Sequence, residues 1–310
     1  MRICFSSSHQ YPGKLHGVAA HAVHDYLVKG LSELGHKVYY CLLEEPEVPL
    51  PPGVIYTPDI RYDVDILHLN TGSPLVYPES QGMPWVKIVH SDIRSKGYSL
   101  DAVRDNWIFV SQSLARTYGS ERYVYNGIDP DEFIYSEAKS NYLLFVVGGI
   151  HRAMEKGLNT ALDMARKTGV ELRIASSGND DEKAAFDAFC RREGAVPIGS
   201  IHGSRKAEVF AMAKALIMPS QFNEACPLVV MEALMSGTPV IGSANGAIPE
   251  MLDETTGFVC KTEADYIHAI ENCRKIKPRD CRNAAVERFH YLNMSKGYVR
   301  EYLREIEKSS

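Results

Sequence analysis

Several features that would assign a protein to a class at once are missing from this sequence. No window of its 310 residues is apolar over the length of a membrane span. The amino-terminal segment MRICFSSS has too short an apolar part for a signal peptide, and no cleavage site follows it. The sequence also contains no internal repeat and no low-complexity segment. These absences argue against an integral membrane protein, a secreted protein and a repeat protein.

Cysteine is present but follows no pattern. The seven cysteines are scattered along the chain without a CxxC pair, and such an odd set is typical of reduced thiols in a cytosol. We therefore expect a cytoplasmic protein, an expectation that leaves peripheral contact with a membrane open.

The net charge, composition and length of the chain limit its class of partner and its number of domains. The formal net charge of -5 argues against a nucleic-acid backbone as the main partner. Hydrophobic residues make up 45% of the chain and charged residues 24%, as in globular domains. At 310 residues the chain is long for one core and comfortable for two domains. Nothing in the composition indicates an oligomeric state.

The order of the predicted elements indicates an α/β protein. The strand MRICFS, a helix over about 18–34, Gly35 and the strand KVYYCLL form a βαβ unit. Later apolar runs, VDILHLN, WVKIVHSD, WIFVSQ and RYVYNGID, are continuous rather than alternating, which is typical of a parallel sheet covered on both faces. The polar stretch SEAKSNY then separates a second set of strands and helices. We predict domains over 1–138 and 139–290, followed by a terminal helix over 291–310.

The most informative stretch is Pro219–Leu252, PSQFNEACPLVVMEALMSGTPVIGSANGAIPEML. Pro227 suits the first position of a helix, whose exposed backbone N–H groups favour a phosphate. Glu224 lies in the preceding loop, and Glu232 lies about one and a half turns into the helix. Carboxylates repel phosphate but accept hydrogen bonds from hydroxyl groups, so we expect both to face a sugar. The alternative is two solvated acids beside a core helix.

This stretch resembles the large retaining family four of glycosyltransferases with the GT-B fold. The resemblance lies in the spacing E-ACPLVVM-E, the SGTPVIGS strand and the GAIPE turn. It implies an α/β, GT-B fold in which two Rossmann-like doubly wound domains face each other across a cleft. It further implies that Glu232 holds the ribose of a nucleotide and Glu224 the transferred sugar. The terminal helix is expected to cross back to the amino-terminal domain, or alternatively to pack on its own domain.

The segment FVVGGIHRAMEKGLN is similar to the part of the family that neutralises the donor diphosphate. Lys156 and Gly157 match the family pattern. His151 occupies the spacing that usually carries arginine and Arg152 follows it, so either could supply the second cation. A leaving diphosphate gains negative charge as the glycosidic bond breaks, and preorganised cations stabilise that charge. The alternative is a solvated basic turn before a helix.

The amino-terminal domain contributes weaker signals. Gly17 is the single glycine of a loop in which the family usually has two, and His90 ends a strand where the family places a histidine near the donor sugar. His90 could equally be a structural hydrogen-bonding residue. His21 and His24 share a helix face, with His9 and His16 nearby in sequence, but a metal site needs a further ligand and a defined shell. We expect neither metal nor cofactor.

The resemblance therefore implies a set of site residues. Those expected to act in the reaction are Glu224, His90, Lys156 and Arg152. Those expected to bind the donor are Gly17, Gly149, Arg152, Lys156, Ser200, Ile201, Glu224, Ala225, Cys226, Pro227, Leu228 and Glu232. The expected function is metal-independent transfer of a sugar, with retention, from a nucleotide-sugar donor, most simply a UDP-sugar, to an acceptor hydroxyl that the sequence does not identify.

Two other functions are compatible with the predicted parallel sheets. A protein of the same fold could bind a nucleotide sugar without turning it over. A dinucleotide-dependent oxidoreductase is disfavoured because SSSHQYPG, rather than GxGxxG, follows the first strand.

Overall fold

The chain divides into two compact units in a computed structural model, which describes residues 1–13, 19–70, 82–97 and 102–309. The first unit comprises Met1–Ile128 with Phe289–Ser310, and the second comprises Asp129–Arg288. The unit boundary lies earlier than the predicted boundary after residue 138. The terminal segment belongs to the first unit.

The first unit contains a parallel sheet that is six-stranded in its described residues. The strands are β1 Arg2–Ser6, β2 Lys37–Cys41, β3 Val54–Thr57, β4 Ile66–Asn70, β5 Trp85–Val89 and β6 Trp107–Phe109. Their order is β3-β2-β1-β4-β5-β6, and every pairing between neighbours is parallel. β4 and β5 are buried at every position, which explains their continuous apolar sequences.

The second unit repeats this topology. Its strands are β7 Tyr142–Val147, β8 Glu171–Ser176, β9 Val196–Gly199, β10 Ala215–Met218, β11 Val240–Ser243 and β12 Gly257–Cys260. The order is β12-β11-β10-β7-β8-β9, again with parallel pairings. Counted from the β9 edge and numbered within the unit, this is 3-2-1-4-5-6, the same strand order as in the first sheet. In both sheets the order reverses beside the first strand of the unit. Ligands of doubly wound proteins bind outside the carboxyl ends of the strands at this reversal.

Helices connect the strands. They are α1 Ala19–Glu33, α2 Gln112–Thr117, α3 Leu158–Thr168, α4 Asp180–Arg192, α5 Gly203–Met212, α6 Leu228–Met235, α7 Ile248–Met251, α8 Glu263–Asn272, α9 Pro278–Phe289 and α10 Tyr291–Ser309. α3 shows why they form: Leu158, Ala161 and Leu162 are buried at the spacing of one helix face and join the core on β7 and β8. None of the helices in the described ranges has the length and apolarity to cross a membrane.

Helix α10 packs on α1 within the first unit. A Cβ on Gly30 would lie 2.3 Å from Ser295 Oγ, so the glycine permits the close approach of the two helices. The sequence of this helix predicts an apolar stripe made of Tyr298, Tyr302, Leu303 and Ile306. Tyr298 and Tyr302 are fully buried, whereas Leu303 is 46% exposed. The inclusion of Leu303 in the stripe is therefore wrong, because it points away from the packed face.

One strand prediction is also wrong, and four elements were not predicted. Residues 122–129 form no strand; they make single bridges at Tyr123 and Ile128. β3 was missed because Val54–Thr57 follows a proline-rich segment that reads as a loop. The short helices α2 and α7 and the longer α9 were also missed.

The cysteines form no disulfide. All seven are free and buried, and burial raises the pKa of the Cys260 thiol to about 12. Such thiols are poor nucleophiles at neutral pH.

Candidate functional site in the second unit

The candidate site lies at the carboxyl edge of the second sheet, where the loops that follow β7 and β10 meet. Gly157, in the left-handed conformation with φ of 85°, precedes α3. A Cβ at this position would lie 2.1 Å from the carbonyl oxygen of Pro219, so only glycine lets the two loops touch. The Gln221 N–H also donates to the carbonyl of Glu155 at 2.9 Å. This contact explains why a glycine follows Lys156.

Lys156 and Glu224 form an ion pair across these two loops. Lys156 Nζ lies 2.5 Å from Glu224 Oε1, and the side chains are 18% and 6% exposed. Ser220 Oγ donates to the same carboxylate oxygen at 2.8 Å. The pair is held in a largely desolvated position, where charges interact more strongly than in water.

The GAIPE turn supports Glu224 through its backbone. Gly246 has φ of 60°, and a Cβ on it would lie 2.3 Å from both the nitrogen and the oxygen of Glu224. Ala247 N–H donates to the Glu224 carbonyl at 2.7 Å. The glycine of this turn is therefore required by close packing against the residue that bears the carboxylate.

Glu232 forms a second buried pair on α6. Its Oε1 lies 2.6 Å from Lys206 Nζ on α5, and its side chain is only 8% exposed. Its other oxygen, Oε2, is buried and has no hydrogen-bond partner among the described residues. A buried carboxylate oxygen without a donor carries a desolvation cost, which a ligand hydroxyl would relieve. Sequence reasoning missed Lys206, although it lies in the SRKAEVF segment that follows β9.

Arg152, a candidate for the second cation, is less buried than Lys156. Arg152 pairs with Glu155 at 3.3 Å and its side chain is 40% exposed. The guanidinium lies 4.9 Å from the centroid of the Phe222 ring, and Lys156 Nζ lies 5.6 Å from the same centroid. His151 is exposed and its ring packs against Gly149. The cations of Arg152 and Lys156 thus both lie near the ring of Phe222, a residue that the sequence analysis did not identify.

The remaining donor-binding candidates fall in two other places. Ser200 and Ile201 follow β9, and Ser200 Oγ donates to the carbonyl of Ser176 at 3.1 Å. The loop before α6 holds Ala225, Cys226 and Pro227, and α6 begins at Leu228. Pro227 is therefore the N-cap rather than the first helical residue, with no side-chain capping bond.

Two candidates belong to the first unit. Gly17 lies outside the described residues. His90 follows β5, and its Nε2 lies 2.8 Å from His24 Nε2. Within the part of the chain that the structure describes, no three His, Cys, Asp or Glu side chains are grouped to hold a metal ion.

The second unit matches a known family. Residues 141–275 match the model described as Glycosyl transferases group 1. Sulfoquinovosyl transferase SQD2 of Arabidopsis thaliana is 33% identical over 93 residues, which make up 29% of this chain and 18% of that protein. The matched part of the chain thus spans less than a fifth of the length of this curated relative.

Solved structures match nearly the whole chain. The glycosyltransferase AviGT4, involved in avilamycin A biosynthesis, superposes with a TM-score of 0.76 at 22% identity, covering 99% of this chain and 98% of that one. Sucrose-phosphate synthase from Thermosynechococcus elongatus gives 0.73 at 17% identity, with both chains covered completely. HepE of Anabaena, in complex with UDP and glucose, gives 0.69 at 14% identity over 98% of this chain and 99% of that one. At these identities the likeness establishes the fold, which is α/β and of the GT-B type.

Proposed function

We propose that this GT-B chain, whose residues 141–275 match the glycosyl transferases group 1, transfers a sugar from a nucleotide-sugar donor to an acceptor hydroxyl. The observation that carries the proposal is the pairing of Lys156 with Glu224 at the strand-order reversal of the second sheet. This position is the ligand crevice of a doubly wound sheet. Both residues fall within the matched segment, as does Glu232.

Lys156 supplies the charge that a departing diphosphate requires. Without a ligand, its ammonium is neutralised by Glu224 at 2.5 Å. A bound diphosphate would compete for the ammonium, and the negative charge that develops on the leaving group strengthens that interaction in the transition state. Arg152, whose side chain is 40% exposed and whose guanidinium lies 4.9 Å from the centroid of the Phe222 ring, is the second cation proposed for the same phosphates.

The two glutamates take different parts of the donor. Glu232 already accepts from Lys206 through Oε1, so its buried Oε2 is the oxygen that accepts a ribose hydroxyl. Glu224 accepts from Lys156 and Ser220 through Oε1, which leaves Oε2 to accept from the transferred sugar. An ionised carboxylate has about four acceptor positions, so each glutamate can serve its lysine and a hydroxyl together.

We propose a uridine diphosphate sugar as the donor and retention of configuration as the outcome. The donor proposal is supported by the complexes of HepE with UDP and glucose and with UDP-glucose, which have the same fold. In the reaction, the bond between the anomeric carbon and the diphosphate oxygen breaks, and the bond to the acceptor oxygen forms on the same face. The acceptor proton passes to the departing phosphate oxygen, so no side-chain base is needed. Because lysine and arginine neutralise the diphosphate, no metal is needed either.

The proposal is tested with the purified chain in two measurements. A thermal-unfolding screen of UDP, GDP, ADP and UDP-glucose should show the largest upward shift with uridine nucleotides, since a ligand at 100 times its Kd adds about 2.7 kcal/mol of stability. Consumption of UDP-glucose should then release UDP, slowly by hydrolysis and faster with an acceptor, and NMR of the product should show the donor anomer. Binding without any release of UDP would refute transfer and favour a non-catalytic nucleotide-sugar-binding protein. No shift with any nucleotide would refute both functions.

A further inference from the structure

A continuous chain of hydrogen bonds lies in the first unit, at the carboxyl ends of its strands. Ser7 and His9 follow β1, His24 and Asp25 lie on α1, and His90 follows β5. We call this group the histidine chain, and its members in bonding order are Asp25, His9, Ser7, His24 and His90. The four distances are 3.0 Å from Asp25 Oδ1 to His9 Nε2, 2.7 Å from His9 Nδ1 to Ser7 Oγ, 2.8 Å from Ser7 Oγ to His24 Nδ1 and 2.8 Å from His24 Nε2 to His90 Nε2.

The middle of the histidine chain is sealed from solvent. Ser7 is 3% exposed, His9 4% and His24 0%. Only the two ends, Asp25 and His90, are partly exposed. Buried polar groups must bond to one another when water is excluded. Which group donates in each hydrogen bond is therefore determined by the adjacent hydrogen bond.

Asp25 determines which group donates in the first hydrogen bond of the histidine chain. The Gly13 N–H donates to Asp25 Oδ2 at 2.6 Å, and the Tyr40 hydroxyl donates to Oδ1 at 2.8 Å. A backbone N–H can only donate, so the carboxylate acts as an acceptor. His9 must therefore present Nε2–H to Asp25 Oδ1.

The donor and acceptor roles in the remaining hydrogen bonds follow from this first one. A neutral imidazole has one donor and one acceptor nitrogen, so His9 Nδ1 accepts from the Ser7 hydroxyl. Ser7 Oγ, having used its proton, accepts from His24 Nδ1–H. Burial, followed by the neighbouring histidines, lowers the pKa of His24 well below its ordinary value of 6.5, so that this ring stays neutral and its Nε2 accepts. His90 must then donate from Nε2.

We infer that Asp25 acts through the histidine chain to fix His90 in the tautomer that carries its proton on Nε2. The Nδ1 atom of His90 is then a hydrogen-bond acceptor. This inference rests on the proposed function for its purpose, because a neutral acceptor suits a hydroxyl group of a sugar substrate. Asp25, His9, Ser7 and His24 are positioning residues in this scheme and touch no substrate.

The experiment reads the tautomers directly by long-range ¹H–¹⁵N NMR of the imidazole rings in the whole protein at pH 8, above the ordinary pKa of histidine. Signals are assigned with His9→Gln and His90→Gln. The expected pattern alternates: His9 and His90 carry the proton on Nε2, and His24 carries it on Nδ1.

Asp25→Asn should reverse this pattern. The amide oxygen must face the Gly13 N–H, which can only donate, so the amide NH2 faces His9 Nε2 and turns it into an acceptor. Every bond along the histidine chain then reverses, and His90 should carry its proton on Nδ1. Asp63→Asn, which removes an exposed carboxylate of the same unit, is the matched control and should leave all tautomers unchanged.

Ser7→Ala is the second variant, in case Asp25→Asn does not fold. It removes the hydroxyl that connects two rings and keeps the carboxylate. His9 should stay in the Nε2–H form on Asp25, while His90 should become a mixture of tautomers. An unchanged single tautomer of His90 in both variants, or in Ser7→Ala alone if the other does not fold, would overturn the inference.

Turnover of UDP-glucose supplies the functional readout. In Asp25→Asn we expect kcat to fall about 10-fold or more, the effect of one lost hydrogen bond. Affinity for free UDP should not change, because the proposed nucleotide contacts lie in the second unit. A reversed His90 tautomer with unchanged kcat would overturn the positioning role. If the wild-type protein turns over no nucleotide sugar, the proposed function fails on its own, and the NMR result alone decides whether Asp25 sets the tautomer.

Discussion

Substituting Glu232 with glutamine should weaken every ligand that contains a ribose. Its Oε1 is held by Lys206 at 2.6 Å and its Oε2 is buried without a partner, so this oxygen is in place for a ribose hydroxyl. Glutamine keeps the shape and a neutral hydrogen bond but loses the charge. Hydrogen bonds to charged groups contribute about 1.5–3 kcal/mol and neutral ones about 0.5–1.5 kcal/mol. A loss of about 1–1.5 kcal/mol raises Kd roughly 5- to 12-fold, for free UDP and UDP-glucose alike.

Substituting Glu224 with glutamine should produce a different pattern. The carboxylate neutralises Lys156 at 2.5 Å, and its removal leaves the lysine charge available for a diphosphate. Free UDP should therefore bind as well as before or more tightly. The transferred sugar loses its charged acceptor, so kcat for UDP-glucose should fall by more than its affinity does.

Isothermal calorimetry with UDP and with UDP-glucose separates the two patterns, and steady-state release of UDP gives kcat. Glu208→Gln is the matched control, because Glu208 is an exposed glutamate on the same helix as Lys206. Thermal unfolding of each variant checks that the fold is retained. The assignment is refuted if Glu224→Gln weakens free UDP as much as Glu232→Gln does. If neither substitution changes either ligand, both residues are structural acids beside a core helix.

Four further predictions concern the cations, metals and pH. Lys156→Ala should lower kcat roughly 100-fold, about 2.7 kcal/mol of barrier, as measured by UDP release; an unchanged kcat would contradict its role at the diphosphate. Arg152→Ala should lower kcat while His151→Ala has little effect, and the opposite result would move the second cation to His151. Activity should persist in EDTA after removal of bound metal, and loss that manganese or magnesium restores would contradict a metal-independent reaction. Burial lowers the pKa of His24 and His68 well below 6.5, so the unfolded chain binds protons first as the pH falls. Their contribution to stability is complete above about pH 6.5 and declines below it, by up to about 1.4 kcal/mol per pH unit for each histidine; urea unfolding between pH 7 and pH 5 should show this, and a flat profile would contradict it.

The sequence determined most of the fold because the hydrophobic pattern of a parallel sheet is local. Apolar runs in the sequence marked β1, β2, β4, β5 and β6 in the first unit. In the second unit, the segments LLFVVGG, VELRIAS, AVPIGSI, ALIMPS, PVIGS and GFVC marked its six described strands. The same reasoning failed at Val54–Thr57, which pairs only through its neighbour β2, and at residues 122–129, whose apolar character suits a strand although they make only isolated bridges. Both failures come from long-range pairing, which local composition does not record.

For the candidate site, the sequence predicted Lys156, Glu224 and Glu232 as site residues, because the motifs that carry the family resemblance are short segments of the chain. The tertiary structure decided what each one contacts. It brought Lys206 on α5 to Glu232 on α6. It also placed Lys156 beside Glu224, because the strand order 3-2-1-4-5-6 places the loops after the first and fourth strands of the unit side by side. It also linked His90 to a carboxylate on α1 through residues far apart in sequence. Such contacts depend on how strands and helices are arranged in space, and no local pattern of residues specifies them.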